Sequence, residues 1–214
     1  MNTPTKITVA RIIFTPIMLF LYLADFIPYG LGKLFALIIL IAGVLSDFLD
    51  GYLARKNNQV TNLGKFLDPI ADKLLATTAI VLLITGNNPV IPTIAGIIFM
   101  FFNLQRDYVI TGFRQIGQLK NIIIAADRWG KNKQIALYIT LSAGMLLAYL
   151  REFSFATLQF INIYTIVMYV LIGITCLLMV ISEIGYFVNN PAVLREAKPA
   201  ENIDNVKDET TEQE

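Results

Sequence analysis

Residues 46–74, SDFLDGYLARKNNQVTNLGKFLDPIADKL, set four aspartates between two apolar runs, LGKLFALIILIAGVL at 31–45 and LLATTAIVLLI at 74–84. A carboxylate in or near hydrocarbon costs about 2.5–3.5 kcal/mol on insertion scales. Four of them need a physical reason. Asp47 and Asp50 are three residues apart, which on a helix separates side chains by about 60°. Asp68 and Asp72 are four apart, a separation of about 40°. Each pair therefore shares one helix face, and the intervening linker folds the chain back so that the two faces can meet. Asp47 lies about 13 Å along the helix from Lys56, which recesses the cluster below the polar surface yet leaves it reachable.

Facing carboxylates repel or hold protons unless cations sit between them. Oxygen-only ligands suit hard ions such as Mg²⁺, Mn²⁺ or Ca²⁺. Two ions about 3.5–4 Å apart would use this ligand set as two-metal phosphoryl-transfer sites do. The competing reading is that each aspartate caps a helix or pairs with a base. Asp68 precedes Pro69, an arrangement common at helix starts, and Arg55, Lys65 and Lys73 lie within reach in sequence. Gly51 and Ala54, small residues beside Asp50, either admit a planar ligand close to the backbone or serve helix packing.

Outward from this stretch, the composition sets the class. The chain has 214 residues, 56% hydrophobic and 15% charged, with a mean hydropathy of +0.62. A soluble domain carries about a quarter charged residues, so the chain reads as an all-α integral membrane protein. Its body forms one domain, 1–189. Residues 190–214, NPAVLREAKPAENIDNVKDETTEQE, hold seven acids, three bases and no aromatic residue, and read as a disordered acidic cytoplasmic tail. There is no histidine, which removes the commonest general base and the usual zinc ligand. Acid–base chemistry then falls to carboxylates, Lys or Tyr. Cys176 is the single cysteine, so no disulfide forms within the chain. No nucleic-acid partner is expected.

Six segments are long and apolar enough to read as spans of about 20 residues: approximately 7–25, 33–54, 67–87, 91–113, 132–150 and 155–187. The first follows Lys6 and Arg11 as a signal peptide would, but no small-x-small site follows it, so it reads as a retained span. If the spans alternate, one side receives Lys6, Arg11, Arg55, Lys56, Lys65, Lys73, Arg106, Arg114, Lys120, Arg128, Lys131 and Lys133, and the other only Lys33 and Arg151. The positive-inside rule then puts both termini, and the aspartates, on the cytoplasmic side of the cell membrane. Residues 114–131 read as a basic cytoplasmic loop with room for a short interfacial helix. No internal repeat is visible, which disfavours a secondary transporter, and the acids cluster toward one face with no second acidic layer, which disfavours a divalent-cation transporter.

The spacing Asp47-x2-Asp50-Gly51-x2-Ala54-Arg55-x8-Gly64-x3-Asp68-x3-Asp72 resembles the full motif of the CDP-alcohol phosphatidyltransferase family, and the likeness runs from about residue 2 to 188. That resemblance implies a six-span CDP-alcohol phosphotransferase fold, commonly homodimeric. It also implies transfer of a phosphatidyl or related group from a CDP-linked donor to an alcohol. Carried over by position, Asp47, Asp50, Asp68 and Asp72 would bind two ions, Mg²⁺ or Mn²⁺, on the donor diphosphate. Asp72 would also be the base for the incoming hydroxyl. Gly51 and Ala54 would floor the cytidine pocket, with Arg55 and Gly64 at its edge.

RDYVITGFR at 106–114 and WGKNKQIALYIT at 129–140 are similar to the family branch that uses CDP-diacylglycerol and glycerol 3-phosphate. So is the opening, with Asn2, Pro4, Thr8, Arg11 and Pro16; Asn2 and Thr8 would add to the CDP site. Asp107 stands where that branch usually has Glu, and Gln134 where it has Thr, which leaves open acceptors such as serine, inositol phosphate or phosphatidylglycerol. The charges favour an anionic acceptor. Arg106 and Arg114 lie two turns apart, and Lys131 and Lys133 open the fifth span. Arginine's planar fork suits phosphate and lysine adds point charge, although such bases also anchor helices at an anionic interface.

Overall fold

The structure is a computed structural model that describes residues 2–24, 26–56, 61–85, 89–120, 122, 128–152 and 157–194. Within these, the side chains of residues 3, 4, 29, 48–56, 62, 65 and 192 lie outside the description. Six long helices run in sequence: α1 (Thr3–Leu23), α2 (Leu31–Lys56), α3 (Asn62–Ile84), α4 (Thr93–Leu119), α5 (Arg128–Leu150) and α6 (Leu158–Asn189). A 3₁₀ turn at Pro28–Gly30 precedes α2, and a single turn, α7 (Pro191–Leu194), follows α6. Among the described residues there is no strand. Three of the long helices, over Thr5–Leu23, Arg128–Leu150 and Leu158–Asn189, have the length and apolar composition needed to cross a membrane.

Several helices run past the boundaries expected from hydropathy. Thr61 accepts a hydrogen bond from the Gly64 backbone at 3.0 Å and so starts α3 at Asn62. Asp68 therefore lies well inside α3 and is not its cap, which corrects the expectation that the second aspartate pair opens the span. Pro69, also inside α3, has no N–H to give the carbonyl one turn back. Helix α4 continues to Leu119 and α5 begins at Arg128. Much of the expected loop 114–131 is thus helix, because hydropathy ends a span where charge begins while helical hydrogen bonding does not. The tail starts later than expected too: α7 packs Val193 against Ile110, Phe113 and Tyr186. The rest of the acidic tail, 195–214, lies outside the described residues.

Helix α3 touches α1, α2, α4 and α5. Its Ala71, Leu75, Ala76, Ala79, Ile80, Leu82 and Leu83 are all buried. Burial around so much of its circumference is what a central helix requires. Close approach depends on small residues, as membrane helix packing does. A Cβ on Gly96 would lie 1.8 Å from Cγ2 of Ile84, and one on Gly144 would lie 2.6 Å from Cδ1 of Leu83. The outer surface is apolar: Phe14, Phe20, Ile38, Phe101, Ile163, Val170 and Leu177 are all exposed. Patches of this extent mark contact with lipid or another chain rather than water.

At the end of the bundle away from the aspartates, Lys33 pairs with Glu152. Arg151 donates to the Pro89 carbonyl at 3.1 Å and to Thr165 at 3.3 Å. These contacts tie the starts and ends of four helices together and leave the other end to carry the polar interior.

Candidate active site

Three of the four motif aspartates have described side chains, and each is held by a donor from a helix other than its own. On α1, Thr8 and Arg11 are three residues apart and share a face. Thr8 donates to Asp68 Oδ1 at 2.6 Å, and Arg11 donates to Asp47 Oδ1 at 2.7 Å. Both α1 residues are buried, whereas the Asp47 side chain keeps 45% of its exposure. Helix α1 thus bridges the aspartates of α2 and α3. Asp72 is held from α5: Gln134 donates to its Oδ2 at 2.9 Å and Tyr138 donates to its Oδ1.

Of the expected nucleotide residues, Asn2 precedes α1 without a side-chain cap bond. Gly64 sits in the first turn of α3, where a Cβ would lie 3.0 Å from Oγ1 of Thr61. Asp50, Gly51, Ala54 and Arg55 fall on α2 with side chains outside the described residues.

Among the described residues no group of three or more acids, cysteines or histidines is gathered as a metal site. The chemistry of the donors nonetheless fits hard divalent cations, since every candidate ligand is a carboxylate oxygen. Among the described residues, the hydrogen bonds of Asp47 and Asp68 each use Oδ1, so Oδ2 of each would be the oxygen to coordinate.

A cavity of about 780 Å³ opens between α2 and α5. Asp47, Lys131, Gln134 and Tyr138 line its polar part, and Ile41, Val44, Leu45, Ile135 and Ile139 form apolar walls. One space therefore reaches a motif aspartate, an exposed lysine and the two side chains that hold Asp72.

The expected cations divide. Lys131 is exposed and borders this cavity. Arg106, inside α4, donates through NH1 to Asp107 at 3.0 Å and through NH2 to Ser182 of α6 at 2.6 Å. Lys133 is fully buried and donates to Asn103 at 2.7 Å and to Asp107 at 3.1 Å. Arg114 is about 12 Å further along α4, exposed, and donates through Nε to the Tyr186 hydroxyl at 2.5 Å. The structure thus joins Arg106 and Lys133 through one carboxylate and gives Arg114 a separate partner in Tyr186.

Sequence reasoning had not singled out Tyr138, Asn103 or Ser182. Each lies in an apolar run, where one polar residue carries no signal of its own. The i, i+4 spacing of Gln134 and Tyr138 is the only hint that two α5 side chains serve one target.

These features define a class of helical membrane protein with aspartates clustered at one end of the bundle. The family model for CDP-alcohol phosphatidyltransferase matches residues 1–181, and the chain belongs to that family. Among curated relatives, the CDP-diacylglycerol–glycerol-3-phosphate 3-phosphatidyltransferase of Bacillus subtilis (strain 168) is 36% identical over 156 residues, covering 68% of this chain and 77% of the relative. The proteins of that name from Haemophilus influenzae and Rickettsia felis are 37% and 33% identical, over 69% and 66% of this chain and 77% and 73% of their own lengths.

Proposed function

We propose that this protein transfers the phosphatidyl group of CDP-diacylglycerol to glycerol 3-phosphate, giving phosphatidylglycerophosphate and CMP in phospholipid synthesis. The observation that carries the reading is that carboxylates of α2 and α3 gather at the same end of the bundle as the cations of α4 and α5. That pairing suits a diphosphate donor and a phosphate-bearing acceptor. Relatives of the same printed activity support it.

Asp47, Asp50, Asp68 and Asp72 would hold two divalent ions, Mg²⁺ or Mn²⁺. When bound, these neutralise the donor diphosphate and stabilise the charge of the departing CMP. Asn2, Thr8, Gly51, Ala54, Arg55 and Gly64 shape the cytidine end of the donor site. Arg106, Arg114 and Lys131 hold the acceptor phosphate, so the terminal hydroxyl faces the donor's β-phosphorus. Asp72 accepts the hydroxyl proton as the new P–O bond forms and the bond to CMP breaks. The apolar walls of the α2–α5 cavity keep the donor's acyl portion beside lipid while its headgroup reacts. The site and both termini face the cytoplasm, and the exposed apolar helix faces lie against lipid and a second copy of the chain.

The test is turnover of purified protein in detergent with CDP-diacylglycerol and, separately, glycerol 3-phosphate, serine, inositol phosphate and phosphatidylglycerol. Phosphatidylglycerophosphate and CMP are expected with the first alone. Product only with another acceptor rejects the acceptor assignment, and cation flux into liposomes without a nucleotide donor would favour a transporter.

A further inference from the structure

The cations expected to grip the acceptor do not play equal parts. Lys133 Nζ is wholly buried and is already bonded to Asn103 and to both oxygens of Asp107, at 3.1 and 3.3 Å. Asp107 in turn accepts from Arg106, and the two side chains keep only 13% and 12% of their exposure. Arg106 and the buried Lys133 thus share the Asp107 carboxylate, while Asp72 also acts on Lys133.

The Arg106 guanidinium has five N–H groups in a rigid plane. Asp107 takes one from NH1 and the buried Ser182 takes one from NH2. Its Nε is buried with no hydrogen-bond partner among the described residues. A buried donor left unmet is uncommon and calls for a reason. Gly130 lies against the same group: a Cβ there would be 3.1 Å from Arg106 NH2. The next residue, Lys131, borders the large cavity.

We infer that Asp107 and Ser182 are positioning residues that pin two corners of the Arg106 guanidinium and turn its remaining N–H groups toward the acceptor's phosphate. Lys133 acts through Asp107, neutralising and anchoring it, and does not itself touch the phosphate. This deepens the proposed function and rests on its assignment of a phosphate-bearing acceptor. Charge matters separately from orientation here, because loss of Asp107 alone would also raise the local positive potential. A charge-balanced change isolates orientation.

The experiment compares steady-state kinetics of wild type, Asp107→Asn/Lys133→Gln, Ser182→Ala and Asp107→Glu. Loss of a hydrogen bond to a charged group should raise the KM for glycerol 3-phosphate about tenfold in the first two variants. The KM for CDP-diacylglycerol should stay within twofold, and Asp107→Glu, which keeps the carboxylate, should stay near wild type. Ser182→Ala alters no charge and removes a single hydroxyl, so it tests the inference even where the double variant fails to fold. An unchanged KM for glycerol 3-phosphate in Ser182→Ala, or a parallel rise in both KM values, overturns the positioning role. If wild type makes no phosphatidylglycerophosphate at all, the proposed function fails instead, and the two failures are distinct.

Discussion

Asp72 has both carboxylate oxygens engaged by donors four residues apart on α5, Gln134 and Tyr138. Two donors fix the plane of a carboxylate that one would leave free to rotate. Asp72→Asn is expected to abolish turnover, since the amide cannot take the hydroxyl proton; wild-type turnover by that variant would remove Asp72 as the base. Tyr138→Phe and Gln134→Leu keep the carboxylate and loosen it. Each is expected to lower kcat about tenfold with little change in either KM, and a rise in KM at constant kcat would assign these residues to substrate binding. The aspartate itself was legible from spacing, because charge amid apolar residues stands out. Its holders were not: Gln134 showed only as a departure from a family pattern, and Tyr138 as one more aromatic residue in a span.

At the scale of elements, α1 and α3 carry the site for different reasons. Helix α1 brings Thr8 and Arg11 to two aspartates that lie 21 residues apart on α2 and α3. Helix α3 holds its pair in place by being packed on several sides, and glycines on its neighbours permit that closeness. Gly96→Ala should push α4 off Ile84 and destabilise the fold by about 1–3 kcal/mol. Thermal unfolding in detergent measures the loss, and adding Ile84→Ala should restore part of it. No loss in Gly96→Ala would mean that the α3–α4 contact tolerates a wider separation. Hydropathy found all six helices and misjudged several ends. It reports where a segment prefers lipid, whereas Thr61 capping and unbroken backbone bonding set where the helix starts and stops.

For the whole molecule, the bases gather at the aspartate end, and the apolar belt between the ends has no covering layer. By the positive-inside rule that arrangement predicts a cytoplasmic aspartate end, and labelling tests it. With Cys176 replaced by Ala, a cysteine at Phe26 should react with a membrane-impermeant maleimide from outside right-side-out vesicles. One at Leu119 should react only after permeabilisation. Both native positions are exposed, at 75% and 85%, so access is set by sidedness. The opposite pattern would invert the topology and put the proposed site on the wrong side for cytoplasmic glycerol 3-phosphate.

The sequence by itself determined the membrane class, the six helices and the spacing of the acidic motif. All of these are written in periods of a few residues or in composition, which local physics reads directly. Only the tertiary structure decided that α1 donors hold Asp47 and Asp68, that α5 grips Asp72, and that Lys133 turns inward to Asp107. Such pairings depend on how far each helix is rotated and shifted against its neighbours. That is set by the fit of side chains such as Ile84 over Gly96, and no single segment contains it.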